Sequence, residues 1–139
     1  MQAELIERIR DALARRPEVV DAYVFGSHAR GEARAHSDLD VAVYLSHEPD
    51  APFGYAAELT TELMAAIGSN RVDLVILNRA GPLLYHRVLR DGVRIVTRDL
   101  AATTGREGRA LSRYCDYVPQ LAKIDRVGSA RRRGGALGR

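Results

Sequence analysis

"FGSHARGEARAHSDLDVAVYL", residues 25–45, places a glycine-serine turn, a polar stretch and then two aspartates one residue apart at the head of an apolar run. The run "DLDVAVYL" is β-branched and apolar enough to read as a strand. Side chains alternate across a strand, so Asp38 and Asp40 share a face, with Cα atoms about 6–7 Å apart at a rise of about 3.3 Å per residue. Two carboxylates so placed repel unless something positive lies between them. Taken alone, such a pair is more often a solvated strand face, or a strand residue preceded by a loop aspartate.

Working outward, "VVDAYVF" before Gly26 is a second strand, and "RVDLVIL" and "VRIVT" are two more. Leu5, Ile6, Ile9, Ala12 and Leu13 recur at helical spacing up to Pro17, giving a helix over about residues 2–15. Gly26-Ser27 opens a short helical stretch closed by Gly31. Asp50 with Pro52 marks the start of a helix carrying Tyr55, Leu59, Leu63 and Ile67 and ending at Gly68. Pro82 starts another, and Leu111, Tyr114, Cys115 and Val118 define a last helix that Pro119 should end or kink. Helices alternating with strands predict an α/β domain on a mixed sheet of about four strands.

The chain has 139 residues, 46% of them hydrophobic and 28% charged, the balance of one globular domain. No apolar run reaches the length of a bilayer span, and residues 1–16 lack the apolar core of a secretory signal. A cytoplasmic setting is expected. One cysteine, Cys115, can form neither an internal disulfide nor a CxxC site and is expected in the core. The net charge of +3 hides an asymmetry: residues 126–139 hold five arginines and no acid, so +3 less the tail's +5 leaves −2 for the body. A domain of residues 1–125 and a basic, disordered tail of residues 126–139 are expected, with nucleic-acid contact at most weak and confined to that tail. His28, His36, His47 and His86 have no zinc-ligand spacing, and the scattered tyrosines suit packing.

Asp73 is a third acid at the start of a strand, amid Val72, Leu74, Val75 and Ile76. It could pair with Arg71. It could also join Asp38 and Asp40 around Mg²⁺, which takes hard oxygen ligands from one or two carboxylates and from substrate phosphates. Gly26 and Ser27 supply the complementary half, since a glycine permits close backbone approach and a helix start offers amides to an anion. Arg30 could add charge to the same phosphates or pair with Glu32. No GK[ST] or G-x-G-x-x-G motif is present, which counts against P-loop and Rossmann sites.

Together, Gly26-Ser27, Arg30-Gly31, Ser37-Asp38-Leu39-Asp40 and Asp73 resemble the signature of the polymerase-β-like nucleotidyltransferases, and the short chain resembles their minimal (MNT) branch over roughly residues 1–124. The stretch "RVDLVILNRAGPLLYHRVLRDGVRIVTRD" resembles that of MNT antitoxins paired with HEPN-domain ribonuclease toxins. The resemblance implies a nucleotidyltransferase α/β core in which Asp38, Asp40 and Asp73 bind Mg²⁺ and carry catalysis. It implies that Gly26, Ser27 and Arg30 hold ATP. It further implies transfer of AMP to a tyrosine hydroxyl of a HEPN toxin, in a hetero-oligomer. Two alternatives stay open: a small-molecule acceptor, as for aminoglycoside nucleotidyltransferases, and an antitoxin acting by binding alone.

Overall fold

The computed structural model describes residues 2–26 and 38–135. Ser27, His28, Arg30, Gly31, His36 and Ser37, with the expected short helix after Gly26, lie outside the described residues.

Four strands form one sheet: β1 (Val19–Phe25), β2 (Leu39–Leu45), β3 (Val72–Ile76) and β4 (Val93–Thr97), in the order β3-β2-β1-β4. β1 runs antiparallel to both β2 and β4, whereas β2 and β3 are parallel. The helices are α1 (Gln2–Ala14), α2 (Tyr55–Ile67), α3 (Pro82–Asp91) and α4 (Leu100–Gly135). A parallel pair needs a crossover connection, and α2 provides it between β2 and β3. The expected mixed α/β sheet is what forms.

Strand alternation divides the core in two. Leu39, Val41 and Val43 of β2 and Val72, Leu74 and Ile76 of β3 pack with α1 and α2 through Ile9, Leu13, Leu59 and Leu63. The opposite face carries Tyr23, Phe25 and Ala42 against Tyr85 and Val88 of α3 and Ala110 of α4. α2 begins at Tyr55 rather than at Pro52, because residues 51–54 form a turn closed by a bond from Gly54 N to Ala51 O at 3.0 Å. Gly68 ends the helix in the left-handed conformation, as expected. The exposed carbonyls at the end of α1 are gathered by Arg98, whose guanidinium lies within 3.2 Å of the Leu13, Ala14 and Arg16 oxygens.

α4 departs most from expectation. It begins at Leu100, with the Asp99 carboxylate accepting the Ala102 N–H at 3.3 Å, and passes through Pro119 to Gly135. Pro119 removes one helical hydrogen bond without stopping the helix, and the expected boundary after residue 125 falls inside it. Cys115 is exposed, not buried, and Leu111 and Val118 are exposed as well. The inward stripe is Thr103, Arg106, Glu107, Ala110 and Tyr114, and its contacts are largely polar. The buried Asp21 accepts from the Thr103 hydroxyl at 2.6 Å and from Arg106 at 2.7 and 2.9 Å. The Tyr23 hydroxyl donates to Glu107 at 2.6 Å. Burial and this carboxylate push the Tyr23 phenol far above its ordinary range, keeping it a neutral donor.

Because Asp21 has no exposure to solvent, removing its ion-pair partner strands a charge in the core. Arg106→Ala should therefore cost about 3–5 kcal/mol of stability, the range for a broken buried pair. Urea denaturation of the full chain followed by circular dichroism checks this, and a loss below about 1 kcal/mol would place the anchoring of α4 elsewhere.

Candidate functional site

β1 ends in Phe25 and Gly26, and Phe25 is the antiparallel partner of Asp40. On the other side of β2, Asp40 is the register partner of Asp73 across the parallel pair. Adjacent strands lie about 4.8 Å apart, so the two acids sit side by side. The edge of this arrangement is fixed by a bond from Leu39 N to Arg71 O at 2.8 Å, just before both acids. Since Leu39, Val41 and Val43 face the α1 and α2 core, Asp40 points to the face of Phe25 and Ala42. Asp40 is half-buried, and Asp73 is exposed.

Gly26 meets a steric demand that only glycine satisfies. Its φ is +77°, and a Cβ built there would fall on Oδ2 of Asp40. The missing side chain is what admits the Asp40 carboxylate at the end of β1. Asp38 stands one residue before β2 begins, 60% exposed, with its carboxylate 3.9 Å from the Arg71 guanidinium. Arg71 thus meets Asp38, where the sequence offered it as a partner of Asp73.

The structure brings Gly26, Asp40 and Asp73 together and places Asp38 beside them, turned to Arg71. Among the described residues no three His, Cys, Asp or Glu side chains stand close enough to hold an ion by themselves. The donor set nevertheless fits magnesium: two neighbouring hard carboxylates, open to solvent on one side, leave coordination positions for phosphate oxygens and water. Ser27 and Arg30 lie outside the described residues. Phe25, as the neighbour of Asp40, was not singled out from sequence, since it reads as one more apolar strand residue. Arg87 was also missed; its guanidinium lies 5.9 Å from the centre of the Phe25 ring.

Residues 7–101 match the family model "Polymerase beta, Nucleotidyltransferase". The chain is 34% identical over 102 residues to the protein adenylyltransferase MntA of Aphanizomenon flos-aquae, covering 65% of each chain. It is 32% identical over 92 residues to the protein of the same name from Shewanella oneidensis, covering 66% of this chain and 62% of that one. The chain thus spans a little under two thirds of these relatives' lengths. Among solved structures, a toxin-antitoxin complex with AMP-PNP aligns at a TM-score of 0.73 and 27% identity, covering 88% of this chain and 97% of that one. A tri-AMPylated HEPN toxin with its MNT antitoxin from Shewanella oneidensis aligns at a TM-score of 0.71 and 26% identity, covering 91% and 98%. The family match covers well over half of the chain and contains Gly26, Asp38, Asp40 and Asp73, so this protein belongs to the polymerase beta nucleotidyltransferase family.

Proposed function

We propose that this protein is an adenylyltransferase antitoxin that transfers AMP from ATP to a tyrosine hydroxyl of a HEPN-domain toxin and so neutralises it. The observation that carries the reading is the register pairing of Asp40 with Asp73 beside a glycine whose missing side chain admits the Asp40 carboxylate. Relatives named protein adenylyltransferase, and a neighbouring fold solved with an AMPylated HEPN toxin, support the protein acceptor. The neighbour solved with AMP-PNP supports ATP as donor.

In this reading Asp40 and Asp73, joined by Asp38, would hold Mg²⁺, which would supply charge neutralisation at the phosphates. Gly26, Ser27 and Arg30 hold the β- and γ-phosphates. The acceptor oxygen attacks the α-phosphorus, the bond from that phosphorus to the β-phosphate oxygen breaks, and pyrophosphate leaves. Asp73, exposed at the edge of β3, takes the hydroxyl proton. The protein's work is chiefly positioning. The HEPN partner is held in a hetero-oligomer, and we place the reaction in the cytoplasm.

Asp38→Asn with Asp40→Asn should abolish transfer while leaving the fold intact, because carboxylates that repel one another at a strand edge contribute little to packing. The check is incubation with α-labelled ATP, Mg²⁺ and the cognate toxin; transfer at the wild-type level would overturn the assignment. Gly26→Ala should impair transfer through Asp40, since the new Cβ takes the carboxylate's place and the left-handed backbone costs about 1–2 kcal/mol. Transfer assayed beside thermal unfolding should show activity lost in a protein that still folds.

Among the residues whose burial is described, the last buried core residue is Ala110, which supports residues 1–125 as the working domain. Truncation after Asp125 should preserve folding and Mg²⁺-dependent binding of AMP-PNP, measured by calorimetry, and loss of both would move the boundary toward Gly135.

A further inference from the structure

Arg87 stands apart from the other arginines of its surroundings. Arg90 pairs with Asp91 at 2.9 and 3.1 Å, Arg94 with Glu107 at 3.0 Å, and Arg106 with the buried Asp21. Arg87 is exposed, and among the described residues no carboxylate pairs with it. Its partner is aromatic: the guanidinium carbon lies 5.9 Å from the centre of the Phe25 ring.

The fold puts it there by a tight turn. α3 ends at Asp91, and Gly92 leads into β4 so closely under β1 that a Cβ on Gly92 would lie 3.3 Å from both the Phe25 Cβ and the Val24 carbonyl, and would strike the Val88 carbonyl. This approach seats the last turns of α3 against the end of β1, where Phe25 precedes Gly26 and faces Asp40 across the sheet register. Cross-strand partners on one face have Cβ atoms about 4.5–5.5 Å apart. A cation over Phe25 is therefore within one side chain of the acid edge.

The chemistry of Arg87 suits one kind of visitor. Arg87 is solvent-exposed and 5.9 Å from the centre of the buried Phe25 ring, where a cation–π contact holds it only weakly. It can be drawn off by a stronger acceptor. Planar guanidinium binds phosphate through two parallel hydrogen bonds, which are shorter and stronger than neutral ones. An edge built of Asp38, Asp40 and Asp73 repels a polyphosphate, so a positive group beyond the metal is needed where the phosphates enter. Negative charge also builds on the departing pyrophosphate, where a cation held nearby assists.

We propose that Arg87 is a phosphate-binding residue of this site, moving from the Phe25 ring to the polyphosphate of the bound nucleotide. The proposal rests on the reading that the acid edge binds a magnesium nucleotide, and the experiment separates the two. Full-length wild type, Arg87→Gln and Arg87→Lys are titrated calorimetrically with AMP-PNP and with AMP, each with Mg²⁺. Arg87→Gln should weaken AMP-PNP by about tenfold or more, the loss expected for hydrogen bonds to a charged group. AMP should bind all three forms alike, and Arg87→Lys should recover part of the AMP-PNP affinity. Equal AMP-PNP affinity in wild type and Arg87→Gln, or an equal loss for AMP, would overturn the role of Arg87. Failure of wild type itself to bind AMP-PNP would overturn the nucleotide-site reading instead.

Discussion

Two carboxylates at the same level of neighbouring parallel strands repel each other, and in this protein the core holds them there. The β2–β3 register that pairs Asp40 with Asp73 also pairs Leu39 with Val72, Val41 with Leu74 and Val43 with Ile76. Those apolar residues pack under α1 and α2. A slip of one residue would turn the acids into that core and the apolar residues out of it. Hydrophobic packing on one face thus imposes an electrostatic arrangement on the other.

The opposite layer completes the arrangement without closing it. α3 and α4 cover Tyr23 and Phe25, and α4 is fastened through the Asp21, Thr103 and Arg106 cluster. Arg106 also lies over the Tyr44 ring at 5.1 Å. These contacts bind the centre and the β4 side of the sheet. Asp73, on the edge strand, stays exposed, so a substrate can reach this acid from a side that the described helices do not cover.

Much of this was legible in the sequence, for a physical reason. The four strands are dense in β-branched residues, and a charge just inside such a run, like Asp40 or Asp73, stands out because it must have a partner. α4 was legible only in part. Its inward stripe includes Thr103, Arg106 and Glu107, which bind buried polar groups of β1, so apolar periodicity pointed instead to Leu111, Tyr114, Cys115 and Val118, of which Tyr114 lies on the inward stripe and the other three face solvent. Pro52 belongs to the turn before α2 rather than to its start, and the helix expected to end or kink at Pro119 continues to Gly135. Arg87 could not be found from its neighbours in the chain, because what marks it is its place over the Phe25 ring, with no carboxylate paired to it among the described residues.

The central claim is that Asp40 and Asp73 together form a metal-dependent nucleotide site. Its most direct test is a crystal structure of the full chain grown with AMP-PNP and Mn²⁺ in place of Mg²⁺, with data collected for the anomalous signal of manganese. The account predicts an anomalous peak within coordination distance of the Asp40 carboxylate and of a nucleotide phosphate, at the edge shared with Asp73. A bound nucleotide with no peak at that edge, or with its phosphates away from Gly26, would contradict it.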